Sequence, residues 1–163
     1  MSDPKVLTCL WFNHDLEEVA EFYVSLMPDS HIDSIERVPK EIPQGVPLET
    51  GKPMLVQLTL GGVSYQLLNG GVDFPHSEAA SLVVYADDQN ELDRLWSALI
   101  ADGGREVECG WCVDRFGLRW QVIPRRFIEL MNSSNPETKQ RVLNAVWQMK
   151  KIEIADIEAA VAA

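Results

Sequence analysis

The chain has 163 residues, 46% of them hydrophobic, enough for a packed core, and no apolar run nears the roughly 20 residues that cross a bilayer. A formal net charge of −11, from 25 acidic against 14 basic residues, disfavours a phosphate backbone as partner. The 3 cysteines form no secreted framework and the start, MSDPKVLTCLWF, lacks a secretory layout, so a cytoplasmic protein without nucleic-acid or membrane partners is expected.

Val6–Phe12 reads as a buried strand. Asp15 opens a helix, with Glu18 at capping-box spacing and Leu16, Val19, Phe22, Tyr23 and Leu26 at helical spacing before Pro28. His31–Val38 is an imperfect strand, and residues 39–53, rich in Pro and Gly, form a long loop and candidate lid. Met54–Leu60 and Val63–Leu68 flank Gly61-Gly62, a hairpin turn.

The second half starts likewise. Ser81–Tyr85 is a strand, Asp88 with Glu91 repeats the cap, and Leu92, Leu95, Trp96 and Leu99 form a stripe that ends at Gly103-Gly104. Arg105–Cys112 reads as a strand broken by Gly110, and Leu118–Ile123 as another. Asn135 and Pro136 start a tail helix with Val142, Val146 and Met149 on one face, and Glu153–Ala163 forms a second helix. Laid over each other, the halves carry Asp15 onto Asp88, Tyr23 onto Trp96 and Gln66 onto Gln121. An α+β chain of paired βαβββ modules is predicted, at residues 6–71 and 80–127, with a helical extension at 128–163.

The segments CLWF at Cys9–Phe12, LLNGG at Leu67–Gly71, CGW at Cys109–Trp111, DRFGLRWQ at Asp114–Gln121 and QMKKIEI at Gln148–Ile154 carry a resemblance. Together they resemble the PhnB-like branch of the vicinal-oxygen-chelate superfamily, which also holds glyoxalases and bleomycin-resistance proteins. That branch bears the label 3-demethylubiquinone-9 3-methyltransferase. The resemblance implies a glyoxalase-like fold, a cleft between modules and a homodimer, to which the apolar face of residues 142–149 would contribute. No glycine-rich strand-to-helix turn of the kind that holds S-adenosylmethionine is present.

Metal-dependent members of that superfamily supply His and Glu from matched strands. Carried over, those positions fall on Thr8 and Ser81, each seven residues before a helix-opening Asp, and on Gln66 and Gln121. Two hydroxyls and two neutral amides bring no anion and no imidazole to offset a divalent charge, so neither metal nor cofactor is expected. The same groups suit a neutral or anionic small molecule.

Trp111 is the candidate aromatic wall, whereas Trp120, one step from Gln121, points to the opposite face. Cys109 and Cys112 have a redox spacing but sit in a strand or turn rather than at a helix start. His14, His31 and His76 miss the four positions. Asn69-Gly70-Gly71 reads as a strand-ending turn, with Asn69 as an alternative pocket rim. The foremost reading is a metal-free binder of a small molecule through Thr8, Gln66, Ser81, Gln121 and Trp111. Two alternatives stand beside it. One is a divergent enzyme, either a metal-assisted isomerase, lyase or oxygenase or the methyltransferase of the label. The other is a structural or partner-binding dimer whose pocket is filled.

Overall fold

A computed structural model describes residues 5–132 and 135–162, which form two compact units divided between Pro75 and His76. The first unit runs β1 (Thr8–Trp11), α1 (Leu16–Leu26), β2 (His31–Arg37), β3 (Pro53–Leu60) and β4 (Val63–Leu68). The second runs β5 (Leu82–Ala86), α2 (Gln89–Ile100), β6 (Arg105–Glu106), β7 (Trp111–Val113) and β8 (Arg119–Pro124). The helices α3 (Arg125–Met131), α4 (Pro136–Val146) and α5 (Ile154–Ala162) follow within it. Ala163, the predicted end of the tail helix, lies outside the described residues. Each unit holds a four-stranded mixed sheet of the same topology, in the orders β1-β4-β3-β2 and β5-β8-β7-β6, with the first pair of each order parallel. The paired βαβββ architecture is therefore present, and its repeat is one of topology as well as of sequence pattern.

Alternation sorts each sheet into a helix-covered face and an opposite face. In the first unit α1 buries Leu16, Val19, Ala20, Tyr23 and Leu26 together with Val56, Leu58 and Leu67 of the sheet. In the second, α2 buries Leu92, Leu95, Trp96 and Leu99, beside fully buried Cys112, Trp120 and Val122. Each fully buried leucine contributes about 1.5–3 kcal/mol, so these stripes outweigh the caps that mark the helix starts. The caps themselves differ. Asp15 accepts from Glu17 N at 3.0 Å, one residue short of the predicted spacing, whereas Asp88 accepts from Glu91 N at 2.9 Å and the Glu91 carboxylate accepts in turn from Asp87 N at 2.8 Å.

Three expectations change. The predicted strand over 105–112 is split into β6 and β7, because Cys109 and Gly110 both take positive φ and turn the chain. Helix α3, which no sequence signal marked, starts at Pro124 without a side-chain cap, directly off β8. The apolar face offered for a dimer is largely used within the chain: Val142 and Val146 are buried where α4 packs on α5 and α3.

The segments that carry the resemblance are packing devices. Asp114, 2% exposed, accepts from Phe116 N at 2.9 Å, Leu118 N at 3.0 Å and Trp120 Nε1 at 2.8 Å, closing the β7–β8 hairpin and aiming the indole into the core. Cys109 N and Gly110 N donate to Met149 O and Lys150 O at 2.8 and 2.6 Å, so the CGW turn holds QMKKIEI. A side chain at Gly110 would meet Ile152 Cδ1 at 3.0 Å and Val122 O at 3.1 Å. In the first unit, a side chain at Gly70 would lie 2.2 Å from the Trp11 ring, so LLNGG makes room for CLWF.

Candidate functional site

On the face of the second sheet turned away from α2, two rows of side chains cross the strands. Register places Val83, Gln121 and Trp111 side by side on β5, β8 and β7. Ser81 stands two residues before Val83, on the same face, and receives a hydrogen bond from Gln121 Nε2 at 2.8 Å. The next row is Arg119, Val113 and Arg105 on β8, β7 and β6. Arg119 donates from Nε and Nη2 to Glu78 Oε1 at 3.2 and 3.0 Å and from Nη1 to Gly117 O at 2.6 Å. The Glu78 carboxyl is held below its ordinary range, first by its own backbone amide, then by the Arg119 hydrogen bond and charge, with Arg105 adding to the pull. Three of the predicted anchors, Ser81, Gln121 and Trp111, thus share one face, with a paired arginine beside them.

The first sheet arranges its residues differently. Gln66 pairs with Cys9, not Thr8, and Gln66 Nε2 donates to Cys9 Sγ at 3.5 Å. Thr8 pairs with Tyr65 and belongs to the opposite, α1-facing side. The cause is a one-residue difference between the modules: Cys9 stands six residues before Asp15, but Val83, its counterpart beside Gln121, stands five before Asp88. Counting back from the helix cap therefore flips a face. Trp11 joins the Gln66 side instead. Its indole donates to Val72 O at 2.7 Å and meets the Phe74 ring edge-on at 5.2 Å.

The long loop lines a cavity of about 270 Å³ within the first unit, between Glu49 and Lys52 of the loop, Asn13, His14 and Asp15 after β1, and Asn69 after β4. None of the five anchors lines it. Its polar groups serve the fold: Asp15 caps α1, and the Asn69 amide donates to His14 O at 3.0 Å while accepting from Gly71 N at 2.8 Å. Asn69 is thus both turn and rim.

Neither group implied by the resemblance fits. Among the described residues no three His, Cys, Asp or Glu side chains stand together as a metal site, and the matched positions offer hydroxyls, neutral amides and the single Cys9 thiol, with no imidazole or carboxylate beside them. The turns from β1 to α1, β5 to α2 and β8 to α3 contain no glycine, and the first two bring Asp15, Asp87 and Asp88 to the helix start, where a nucleotide phosphate or carboxylate would be repelled. The Cys109–Cys112 pair is also unsuited to redox work. Cys112 is buried, and burial, then Asp114, pushes its thiol up to about 12.

Sequence reasoning missed Arg119 and Glu78. Arg119 was within reach, two residues before Gln121 and so on its face; Glu78 became visible only when the segment before β5 folded onto it. No described helix is long and apolar enough to cross a membrane.

The sequence profile of the family described as 3-demethylubiquinone-9 3-methyltransferase matches residues 4–123. No curated protein matches the chain. Among solved structures, the PhnB protein of Bacillus cereus, whose description carries the same methyltransferase name, is 28% identical, with a TM-score of 0.65 over 74% of this chain and 99% of its own. Protein PA1353 of Pseudomonas aeruginosa is 19% identical, with a TM-score of 0.60 over 75% of this chain and 98% of its own. The fosfomycin resistance protein FosX of Mesorhizobium loti is 9% identical, with a TM-score of 0.48 over 76% of this chain and 92% of its own. By the profile match, the chain belongs to the 3-demethylubiquinone-9 3-methyltransferase family, and it shares its paired βαβββ fold with the PhnB protein.

Proposed function

We propose that the protein is a metal-free binder of a small molecule, held on the second sheet by Gln121 and Ser81 with Trp111 as its wall. The observation that carries this reading is the 2.8 Å bond from Gln121 Nε2 to Ser81 Oγ, made directly beside the cross-strand Trp111. An amide and a hydroxyl that already orient each other lose little freedom when a ligand arrives, and an indole supplies apolar contact. Gln66, with Cys9 and Trp11 beside it, is the corresponding polar point on the first sheet; Thr8, on the other face, drops out of this reading.

A binding role is favoured over proton transfer because the ionisable groups on this face are poorly placed for it. Glu78 is held as a carboxylate with its pKa lowered, which makes it a weak base. The same reading keeps a homodimer in the cytosol; sedimentation velocity and cell fractionation test those two points.

The main test is a thermal-shift screen of small aromatic amides, alcohols and acids. A ligand at a hundred times its Kd stabilises by about 2.7 kcal/mol, a rise of roughly 5–10 °C for a chain of this length. Gln121→Leu and Trp111→Ala should each reduce that rise. A hit whose effect is indifferent to both substitutions would place binding elsewhere and overturn the assignment.

A further inference from the structure

The geometry points to a carboxylate-bearing ligand for this face, with Glu78 as an internal carboxylate that occupies the ligand's charged subsite and must be displaced. The inference rests on the binding role proposed above and narrows its ligand class.

The Arg119 side chain is 15% exposed, and both Nε and Nη2 converge on one oxygen of Glu78. Arg105 lies in the same cross-strand row, and its charge acts on the same carboxylate. Two cations, on strands separated by β7, thus act on one anion, which Arg119 alone holds in direct contact. That anion comes from outside the sheet, on the short segment between Pro75 and β5, in a side chain that is 64% exposed. The local chain is held there by a small turn in which Ala79 N and Ala80 N donate to Ser77 Oγ and O, each at 3.4 Å.

An exposed glutamate pays side-chain entropy to stay on a largely buried arginine, so its hold is weak compared with that of a ligand that also covers Trp111. One β-strand repeat separates Arg119 from Gln121, about 7 Å along the strand. A molecule with a carboxylate at one end and a planar body therefore reaches the guanidinium and the indole row together. A guanidinium fork favours a planar two-oxygen anion over a point charge. Neutral ligands would use Gln121 and Ser81 alone and leave Glu78 in place.

Benzoate and its uncharged isostere benzamide separate these cases by isothermal titration calorimetry at low ionic strength. Glu78→Gln keeps the side-chain length, removes the competing charge and changes an exposed position, so folding is preserved. It should tighten benzoate by about tenfold to a hundredfold, the worth of one charge-assisted hydrogen bond, and leave benzamide within about twofold. Adding Arg119→Met should abolish the gain. Equal benzoate affinity in the parent and Glu78→Gln, with benzamide still bound and still weakened by Gln121→Leu, overturns the displacement and leaves the binding role standing. Absence of benzoate binding to Glu78→Gln, or a benzoate gain that survives Arg119→Met, overturns the inference as well.

Discussion

Replacing Asp114 by asparagine tests whether the DRFGLRWQ segment is a folding device. The carboxylate is 2% exposed and receives three N–H donors: two backbone amides on Oδ1 and the Trp120 indole on Oδ2 at 2.8 Å. Asparagine can keep the two amides on its oxygen only by turning its NH2 toward the indole N–H, so two donors then face each other in the core. Flipping the amide moves the conflict to the backbone. One charge-assisted bond is lost and one buried donor is left unmet, together about 2–4 kcal/mol. For a chain of this length, that lowers the melting temperature by roughly 5–15 °C.

Urea denaturation followed by tryptophan fluorescence gives the value as a fall in midpoint at unchanged slope. The decisive comparison is a double-mutant cycle with Trp120→Phe. Without the indole donor, asparagine meets no conflict, and its cost should shrink to about 1 kcal/mol. An Asp114→Asn cost that is the same in the parent and in the Trp120→Phe variant would refute this account of the hairpin.

Gly110→Ala should cost about 1–3 kcal/mol, since the position has φ +83° and its Cβ would press on Ile152 and the Val122 carbonyl. Hydrogen exchange read by mass spectrometry should show the loss concentrated in residues 148–154. Iodoacetamide at pH 8 should label exposed Cys9 and spare Cys112, whose thiol is raised from 9.0 to about 12; equal labelling of both would contradict its burial. Because the unfolded thiol ionises first, its contribution to stability is complete below pH 9 and falls by about 1.4 kcal/mol per pH unit between there and about 12, a slope that Cys112→Val should flatten. Finally, Ser81→His with Gln121→Glu should tighten Zn²⁺ binding at least about tenfold over the parent by calorimetry, whereas Thr8→His with Gln66→Glu, on opposite faces, should not. Gain in the second variant would contradict the register of β1 on β4.

Much of this protein was legible in its residues. The stripes Leu16–Leu26 and Leu92–Leu99 and the Gly61-Gly62 turn record the 3.6- and 2-residue periods that separate helix from strand, so both βαβββ modules could be read directly. Ser81 and Gln121, positions implied by the resemblance, meet because the second module needed no shift.

Tertiary structure decided the rest. Thr8 could not be placed by counting, because one extra residue between β1 and α1 reverses a face, and register is set by which edges pack rather than by distance from a helix cap. The Val142–Val146 stripe told only that something covers it; α3 and α5, not a second copy, bury those residues. Glu78 on Arg119 joins residues far apart in the chain through a segment with no periodicity of its own. Periodic patterns say which side of an element is buried, whereas its partners, and every charge they bring together, are chosen only when the whole chain closes on itself.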